Sequence, residues 1–221
     1  MKQIKTNEKN NKLIIDLTPK LLAGSRGYPK KFGRYSCSQL FKMLEHSKIP
    51  WGIPPEKYFD VEEPDLEGAL RMINGVQQHE LVQKYLDQSK NEIKFEYFYY
   101  GDGDPRNGTT QYIEEQGGMP IVIKPIFTLV GKVDHLPEDS VWEIKTSSAA
   151  FTKSKDYHDH QAKLYCVICD RPKAYILQPL VQDGRFVLKE IGQVERDDEW
   201  FAGEMRRLVN YHERLAIIHN K

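Results

Sequence analysis

The second half of the chain alternates between paired strand-like segments and a helix, and this order restricts the possible folds more than any other feature. Two short apolar segments, Val130–Leu136 and Val141–Thr146, flank a Pro-Glu-Asp turn, which is typical of a β-hairpin. A second pair, Ala174–Val181 and Arg185–Glu190, brackets an Asp-Gly dipeptide that favours a two-residue hairpin turn. Between the pairs the pattern predicts a helix over about 156–169. This order of elements predicts an α/β or α+β fold.

The rest of the chain adds helices on both sides of this region and one aromatic strand. The predicted helices are a short one that starts at Ser36 or Ser38 and ends near Glu45, a long one over about 65–89 and a closing one over about 197–218. The predicted strands are Lys94–Tyr100 and Met119–Leu129, the latter interrupted at Pro125. We expect residues 1–11 to form a flexible tail, and 221 residues to form a single domain.

Composition excludes several classes of protein. The chain has 32 Lys and Arg residues against 32 Asp and Glu residues, so a protein that coats nucleic acid by overall charge is excluded. No segment approaches the roughly 18 apolar residues of a membrane span, and no secretory signal is recognisable, so we expect no membrane partner. Three cysteines do not make a disulfide framework, which favours a reducing, cytoplasmic location.

Two acidic residues and a lysine fall close together in the first predicted hairpin. Side chains two apart in a strand point to the same face, so Glu143 and Lys145 should project together. Hairpin pairing would bring the carboxylate of Asp134 near Glu143. Two carboxylates can bind a hard divalent cation, and the lysine can act on a water beside a phosphate. A Glu-x-Lys pair on a strand is also common on solvated faces, so these three residues alone leave both interpretations open.

Further polar residues accompany this group in the neighbouring helices. Gln161 and Tyr165 are four residues apart in the predicted helix that follows, and therefore share one face. His79 lies four residues after Gly75 in the long predicted helix. Taken in order, these residues make the set His79, Gly131 with Asp134, Glu143-x-Lys145-Thr146, and Gln161 with Tyr165.

This ordered set resembles the PD-(D/E)XK nuclease superfamily, and within it the RecB-like branch that includes CRISPR-adaptation exonucleases. The resemblance covers roughly residues 75–165, and Ser36-x-Ser38-x-Leu40 is similar to a Ser-x-Ser-x-Leu segment found early in such proteins. It implies a restriction-endonuclease-like core, in which a central mixed β-sheet is flanked by helices.

The resemblance also implies a role for each matching residue. His79, Asp134, Glu143 and the backbone carbonyl of Ile144 would bind Mg²⁺ or Mn²⁺. Asp134, Glu143 and Lys145 would be catalytic, with Lys145 positioning the attacking water and stabilising negative charge on phosphorus. Gln161 and Tyr165 would contact DNA or support the site. Glu80 is the reserve ligand of the helix, since some related nucleases use a glutamate there.

Other residues have simpler interpretations. Lys30 and Lys31 lie in a basic, acid-free loop over 20–34 and are candidate DNA contacts, although local positive charge of this kind is usually solvated surface. Members of the branch can carry an iron–sulfur cluster on four cysteines. This chain has three, namely Cys37, Cys166 and Cys169, so the cluster is not expected. We expect these cysteines to pack in the core instead.

The function implied is metal-dependent hydrolysis of phosphodiester bonds in DNA, with an exonuclease of recombination, repair or phage DNA processing preferred. An endonuclease on the same fold (a nickase or junction resolvase), a non-catalytic nucleic-acid-binding module and a small zinc metalloprotein remain alternatives. The expected partner is single- or double-stranded DNA. A homo-oligomer and a recombination or single-strand-binding partner are possible, and the expected location is the cytoplasm of a bacterial cell or phage-infected host.

Overall fold

The structure is a computed structural model that describes residues 5–7, 12–14, 30–44, 52–60, 65–109, 124–147 and 151–219. Its strands are β1 (Lys5–Asn7), β2 (Lys12–Ile14), β3 (Arg34–Ser36), β4 (Asn91–Tyr99), β5 (Gly108–Thr109), β6 (Phe127–His135), β7 (Val141–Ile144), β8 (Lys173–Gln182) and β9 (Arg185–Glu195). Its α-helices are α1 (Cys37–Leu44), α2 (Leu66–Gln83), α3 (Asp156–Ile168) and α4 (Asp198–His219), and short 3₁₀ helices occupy Pro55–Lys57 and Gln88–Lys90.

Seven of the strands form one mixed sheet in the order β5-β4-β6-β7-β8-β9, and β3 also pairs with β6. β6 pairs antiparallel with β4 and β7 and parallel with β3. β7 and β8 run parallel, which requires a crossover connection, and α3 lies in that connection. The sheet is therefore mixed and flanked by helices, as the sequence predicts.

The core lies where α1, α3 and α4 pack on one another and on the sheet. Its largest fully buried side chains are Tyr35, Tyr58, Tyr165, Phe127, Leu40, Met43, Leu129, Leu164, Ile176, Met205, Leu208 and Leu215. A buried polar contact joins two of the helices: His160 Nε2 of α3 lies 2.7 Å from Glu204 Oε2 of α4. This packing holds α3 in a fixed position over the sheet.

The two predicted hairpins and the helix between them are confirmed, and the strands of the second hairpin are longer than predicted. Asp183 and Gly184 occupy the turn between β8 and β9 with φ angles of 51° and 71°, which is the backbone conformation that an Asp-Gly turn favours. The first hairpin is looser, because β6 and β7 share only the pair His135 and Trp142.

Three sequence-based expectations need correction. The long helix begins where it is predicted to begin, with Asp65 as its N-cap accepting a hydrogen bond from the Gly68 amide at 2.6 Å. It ends earlier than predicted, because α2 stops at Gln83 and not at residue 89. Within the tail expected over 1–11, β1 pairs antiparallel with β2, and residues 1–4 and 8–11 lie outside the described residues. The predicted strand over 119–129 lies partly outside the described residues, and β6 runs without a break from Phe127 to His135.

Among the described residues, no helix is long and apolar enough to cross a membrane.

Candidate active site

The site lies where β6 and β7 separate after their single residue pair. Asp134 at the end of β6 accepts a hydrogen bond on Oδ2 from the backbone amide of Ile144 at 2.7 Å. This side-chain bond connects the two strands beyond their last backbone pair. It brings Asp134 beside Glu143 of β7. Asp134 and Glu143 are both buried, with 7% and 3% of their surface exposed. Two carboxylates so close together in the protein interior need positive charge nearby.

Lys145 supplies that charge from the same face of β7. Its Nζ donates to Glu143 Oε1 at 2.5 Å and to Gln161 Oε1 of α3 at 3.0 Å. Gln161 Nε2 in turn donates to the hydroxyl of Tyr165 at 2.9 Å, one helical turn further along. The predicted proximity of Glu143 and Lys145 and the shared face of Gln161 and Tyr165 are therefore both present, and a continuous line of hydrogen bonds connects them.

His79 reaches the same carboxylate pair from α2. Its Nε2 lies 2.9 Å from Asp134 Oδ1, and this contact raises the pKa of His79 above its ordinary value, although burial opposes the rise. Gly75 allows the helix to lie this close: a Cβ at that position would sit 3.0 Å from Thr146 Oγ1. The neighbouring Glu80 is exposed. The helix thus directs His79, and not the reserve residue Glu80, toward Asp134.

Glu143 has an unsatisfied oxygen. Its Oε2 is buried and has no hydrogen-bond partner among the described residues. Burial raises the pKa of Glu143 to about 7, the charge of Asp134 raises it as well, and Lys145 counteracts both. A buried carboxylate oxygen without a partner is unfavourable, and a bound cation would relieve it.

The donor set suits a divalent cation, although it is not gathered into a coordination shell. Among the described residues, no group of three or more His, Cys, Asp and Glu side chains is close enough to hold a metal ion as it stands. His79 contacts Asp134 directly and Lys145 contacts Glu143 directly, so existing contacts occupy the ligand atoms. Carboxylate and carbonyl oxygens are nevertheless the ligand types of hard divalent metals, an imidazole suits transition metals, and Glu143 Oε2 has no hydrogen-bond partner among the described residues.

A cleft of about 1500 Å³ opens from this group along β4 and β6. Asp134, Glu143, Gln161 and Tyr165 line it. Its other polar lining residues, most of them not predicted from the sequence, are Arg34, Ser36, Ser38, Lys94, Glu96, Tyr97, Asn107, Thr109, Lys132, Asp170, Arg171 and Arg196. They come from separate strands and turns, so no local spacing in the sequence marks them.

The basic loop is only partly represented among the described residues. Lys30 Nζ lies over the ring of Tyr58 at 5.2 Å from its centroid, and Lys31 is exposed beside β3. Neither lines the cleft, whereas Arg34 does, with its guanidinium 2.7 Å from Glu96. The contact of Lys30 and Lys31 with DNA stays a prediction, and residues 20–29 lie outside the described part of the chain.

The cysteines belong to the core. Cys37 and Cys166 are buried, Cys169 is half-buried, and none of the three is in a disulfide. Burial raises the pKa of the Cys166 and Cys169 thiols to about 12, which favours the neutral, unreactive form. The expectation of core packing is confirmed.

Comparison with known proteins supports the fold. No protein-family profile and no curated protein sequence matches the chain. Similar solved structures include LHK-Exo, an alkaline exonuclease from Laribacter hongkongensis, at 14% identity over 90% of this chain and 93% of that chain, with a TM-score of 0.51. The same exonuclease in complex with dAMP gives equal identity and coverage and a TM-score of 0.50. A third structure, SSO0001, is 14% identical over 91% of this chain and 84% of that chain, with a TM-score of 0.46.

At such low identity the similarity establishes the architecture only. The chain has the mixed α/β, restriction-endonuclease-like core of this exonuclease, as the sequence analysis predicts.

Proposed function

We propose that this protein is a metal-dependent nuclease that hydrolyses phosphodiester bonds in DNA, and that it acts as an exonuclease. One observation carries the proposal: Asp134 and Glu143 are buried side by side, Lys145 contacts Glu143 at 2.5 Å, and Glu143 Oε2 has no partner among the described residues. A structural ion pair would satisfy its own oxygens, whereas a site for an external cation leaves one available.

The residues that would hold the cation are His79, Asp134, Glu143 and the backbone carbonyl of Ile144. A divalent cation bound there would lower the pKa of a water molecule and stabilise negative charge on the phosphate. The assignment to Mg²⁺ or Mn²⁺ follows from the oxygen-rich donor set.

The protein's own groups would orient the reactants. Lys145 holds a positive charge beside Glu143, which lines the cleft, and its Nζ would donate to a phosphate oxygen or to the attacking water. Gln161 holds the lysine through Oε1 and is held in turn by Tyr165, so the ammonium group keeps one position. A positioned donor needs no reorganisation during the reaction, which is the main advantage of a preformed site.

The preference for an exonuclease acting on DNA is supported by the solved structures. The protein that shares this fold at a TM-score of 0.51 is described as an alkaline exonuclease, and it has been crystallised with dAMP. The order of His79, Asp134, Glu143-x-Lys145 and Gln161 further supports the RecB-like branch. Within this proposal the protein forms a single domain, acts in the bacterial or phage-infected cytoplasm, and can associate with itself or with recombination proteins.

The test compares linear and closed circular DNA under Mg²⁺ or Mn²⁺. We expect the wild-type protein to release mononucleotides from doubly end-labelled linear DNA and to leave closed circles intact. The Asp134→Asn variant should be inactive, whereas Asp139→Asn, which changes an exposed acid in the β6–β7 turn, should keep full activity. Equal cleavage of circles would identify an endonuclease, and no cleavage of either substrate by the wild type would overturn the proposal.

A further inference from the structure

The second hairpin extends well beyond the strand that carries the site. β7 pairs with β8 only from Val141 opposite Ala174 to Ile144 opposite Leu177. β8 and β9 continue past that point as a two-stranded arm, formed by residues 178–182 and 185–189. At about 3.3 Å per residue, five residues carry the arm roughly 16 Å past the end of β7. Lys145 immediately follows β7, so the arm projects from the edge of the sheet where the candidate site lies.

One face of the arm continues the face that bears Glu143. Glu143 lies opposite Ile176, and side chains alternate along a strand, so every second residue of β8 shares that face. The residues of the arm on this face are Gln178, Leu180 and Gln182 of β8 and their cross-strand partners Lys189, Val187 and Arg185 of β9. We call these six residues the arm face.

Two contacts support this assignment of the face. The backbone amide of Phe151, in the segment that leads into α3, donates to Gln178 Oε1 at 2.7 Å. Ser154 in the same segment packs on Gly192, whose partner is Ile176, so closely that a Cβ on the glycine would lie 2.3 Å from the serine Oγ. The arm face is therefore on the α3 side of the sheet, together with Glu143 and Lys145.

The charges on the arm face are of one sign. Arg185 and Lys189 are exposed, and neither makes an ion pair with any carboxylate in the described part of the chain. The nearby acids lie elsewhere: Asp183 is in the turn, and Glu190 pairs with Leu177 and so points to the opposite face. Lys153, in the segment fixed against the base of the arm, is also exposed and without an ion pair among the described residues.

We propose that the arm face binds the sugar–phosphate backbone of the DNA beyond the scissile bond, with Lys189 and Arg185 each contacting a phosphate. Lys189 and Arg185 are four residues apart on one strand, about 13 Å, which matches about four base-pair steps of 3.4 Å along a duplex. This inference rests on the proposed function, because it assigns the arm to the substrate of the same site. It extends the binding site from the reacting phosphate to a longer stretch of nucleic acid.

The test measures the salt dependence of binding to a fluorescein-labelled DNA duplex of about two helical turns, with Ca²⁺ in place of Mg²⁺. The variant is Arg185→Ala/Lys189→Ala. The matched control, Lys173→Ala/Arg214→Ala, also removes two positive charges, but from residues outside the arm. Each phosphate contact contributes about 0.9 to the slope of log K against log salt, so the arm variant should lower the slope by about 1.8. The control should keep the wild-type slope.

A small substrate separates this inference from the proposed function. Bis(p-nitrophenyl) phosphate contains one phosphodiester and is too short to reach the arm, so the arm variant should hydrolyse it at the wild-type rate. If the wild type hydrolyses neither DNA nor this compound while the slope still falls in the arm variant, the nuclease proposal fails and the arm inference stands. If DNA is cleaved and the slope of the arm variant equals that of the control, the arm inference is wrong.

Two further results complete the test. The charge-reversal variant Arg185→Glu/Lys189→Glu should weaken duplex binding more than the alanine variant, and its unfolding temperature should equal that of the wild type because both residues are exposed. A wild-type protein that does not bind the duplex would overturn the inference.

Discussion

His79 Nε2 lies 2.9 Å from Asp134 Oδ1, and this contact joins α2 to the end of β6. Within α2 only Ala69 and Val82 are buried, and the Asn91 side chain donates a hydrogen bond to the Gln83 carbonyl at the end of the helix. The contact with Asp134 therefore helps to position α2 against the sheet. The same carboxylate belongs to the proposed metal site, so α2 packs directly on a proposed ligand.

Replacing His79 by alanine should raise the metal concentration needed for half-maximal cleavage. We expect an increase of at least about tenfold, because the variant loses a ligand and the contact that positions Asp134. Titration of activity with Mn²⁺ measures the change. The control is Glu80→Ala, which alters an exposed neighbour on the same helix and should leave the metal dependence unchanged. Equal effects of the two variants would show that His79 is not the helical ligand.

Metal binding should stabilise the fold, independently of any cleavage. A cation on Glu143 Oε2 satisfies a buried oxygen that has no partner among the described residues, so it binds the folded state selectively. At a concentration about 100 times its dissociation constant, Mn²⁺ should add about 2.7 kcal/mol. For a protein of this size that raises the unfolding temperature by roughly 5–10 °C.

The Glu143→Gln variant provides the matched measurement by differential scanning fluorimetry. Without metal it should unfold at or above the wild-type temperature, because the change removes a carboxylate whose pKa is raised to about 7 by its burial and by the charge of Asp134. With Mn²⁺ it should show no further rise. A metal-induced rise as large as that of the wild type would contradict the assignment of Glu143 as a ligand.

Replacing Lys145 by alanine should strongly reduce turnover and leave binding largely intact. The ammonium group donates to Glu143 and Gln161, and its loss removes the donor proposed to stabilise charge on the phosphate, at a cost of about 10²–10³ in kcat. Lys132→Ala is the control: Lys132 lines the cleft but pairs with Glu92, so its removal should affect KM more than kcat. A Lys145→Ala variant with undiminished kcat would exclude the proposed role.

The site residues were accessible to sequence reasoning because their spacing follows the periods of a strand and a helix. Glu143 and Lys145 share a face through the two-residue strand period, and Gln161 and Tyr165 share one through the helical turn. The position of His79 against Asp134 was accessible only through the family resemblance. Nothing local in the sequence relates α2 to β6.

The remaining features depend on tertiary contacts that a single sequence does not encode locally. The apolar positions of α2 predict a helix correctly, yet Leu66, Leu70, Ile73 and Val76 are exposed, so the pattern alone overstates their burial. The sequence places Arg34 only at the end of a basic loop. Its position in the cleft follows from the parallel pairing of β3 with β6.

Stability should fall as the pH drops below 6.5, in part because of His158. Burial lowers the pKa of His158 to about 4, and the charges of Lys145 and Lys155 lower it as well. The unfolded chain therefore takes up a proton that the folded protein does not, at any pH between about 4 and 6.5. This difference is absent above that range, and at pH 5 it should cost about 1–2 kcal/mol.

Urea unfolding at pH 7.5 and pH 5 measures the effect. The His158→Gln variant should lose less stability between the two pH values than the wild type, because glutamine does not titrate. An equal loss in both proteins would assign the pH dependence to other groups, such as the Glu204 carboxylate. Burial favours its neutral form, but the contacts with His160 and Arg207 prevail and lower the pKa of Glu204.

Gly131 should be required for close packing between β6 and α3. A Cβ at this position would lie 2.3 Å from Phe95 Cζ and 3.0 Å from Tyr165 Cε1, so Gly131→Ala forces both rings to move. We expect a loss of about 1–3 kcal/mol of unfolding free energy, as overpacking typically costs. Because Tyr165 accepts the hydrogen bond from Gln161, the displacement should also disturb Lys145 and lower kcat.

A double-mutant cycle with Phe95→Leu tests this explanation. The second substitution removes the closest atom and should restore much of the lost unfolding free energy and of kcat. If the losses of unfolding free energy from the two substitutions were strictly additive, the role of Gly131 in making room for the rings would be excluded.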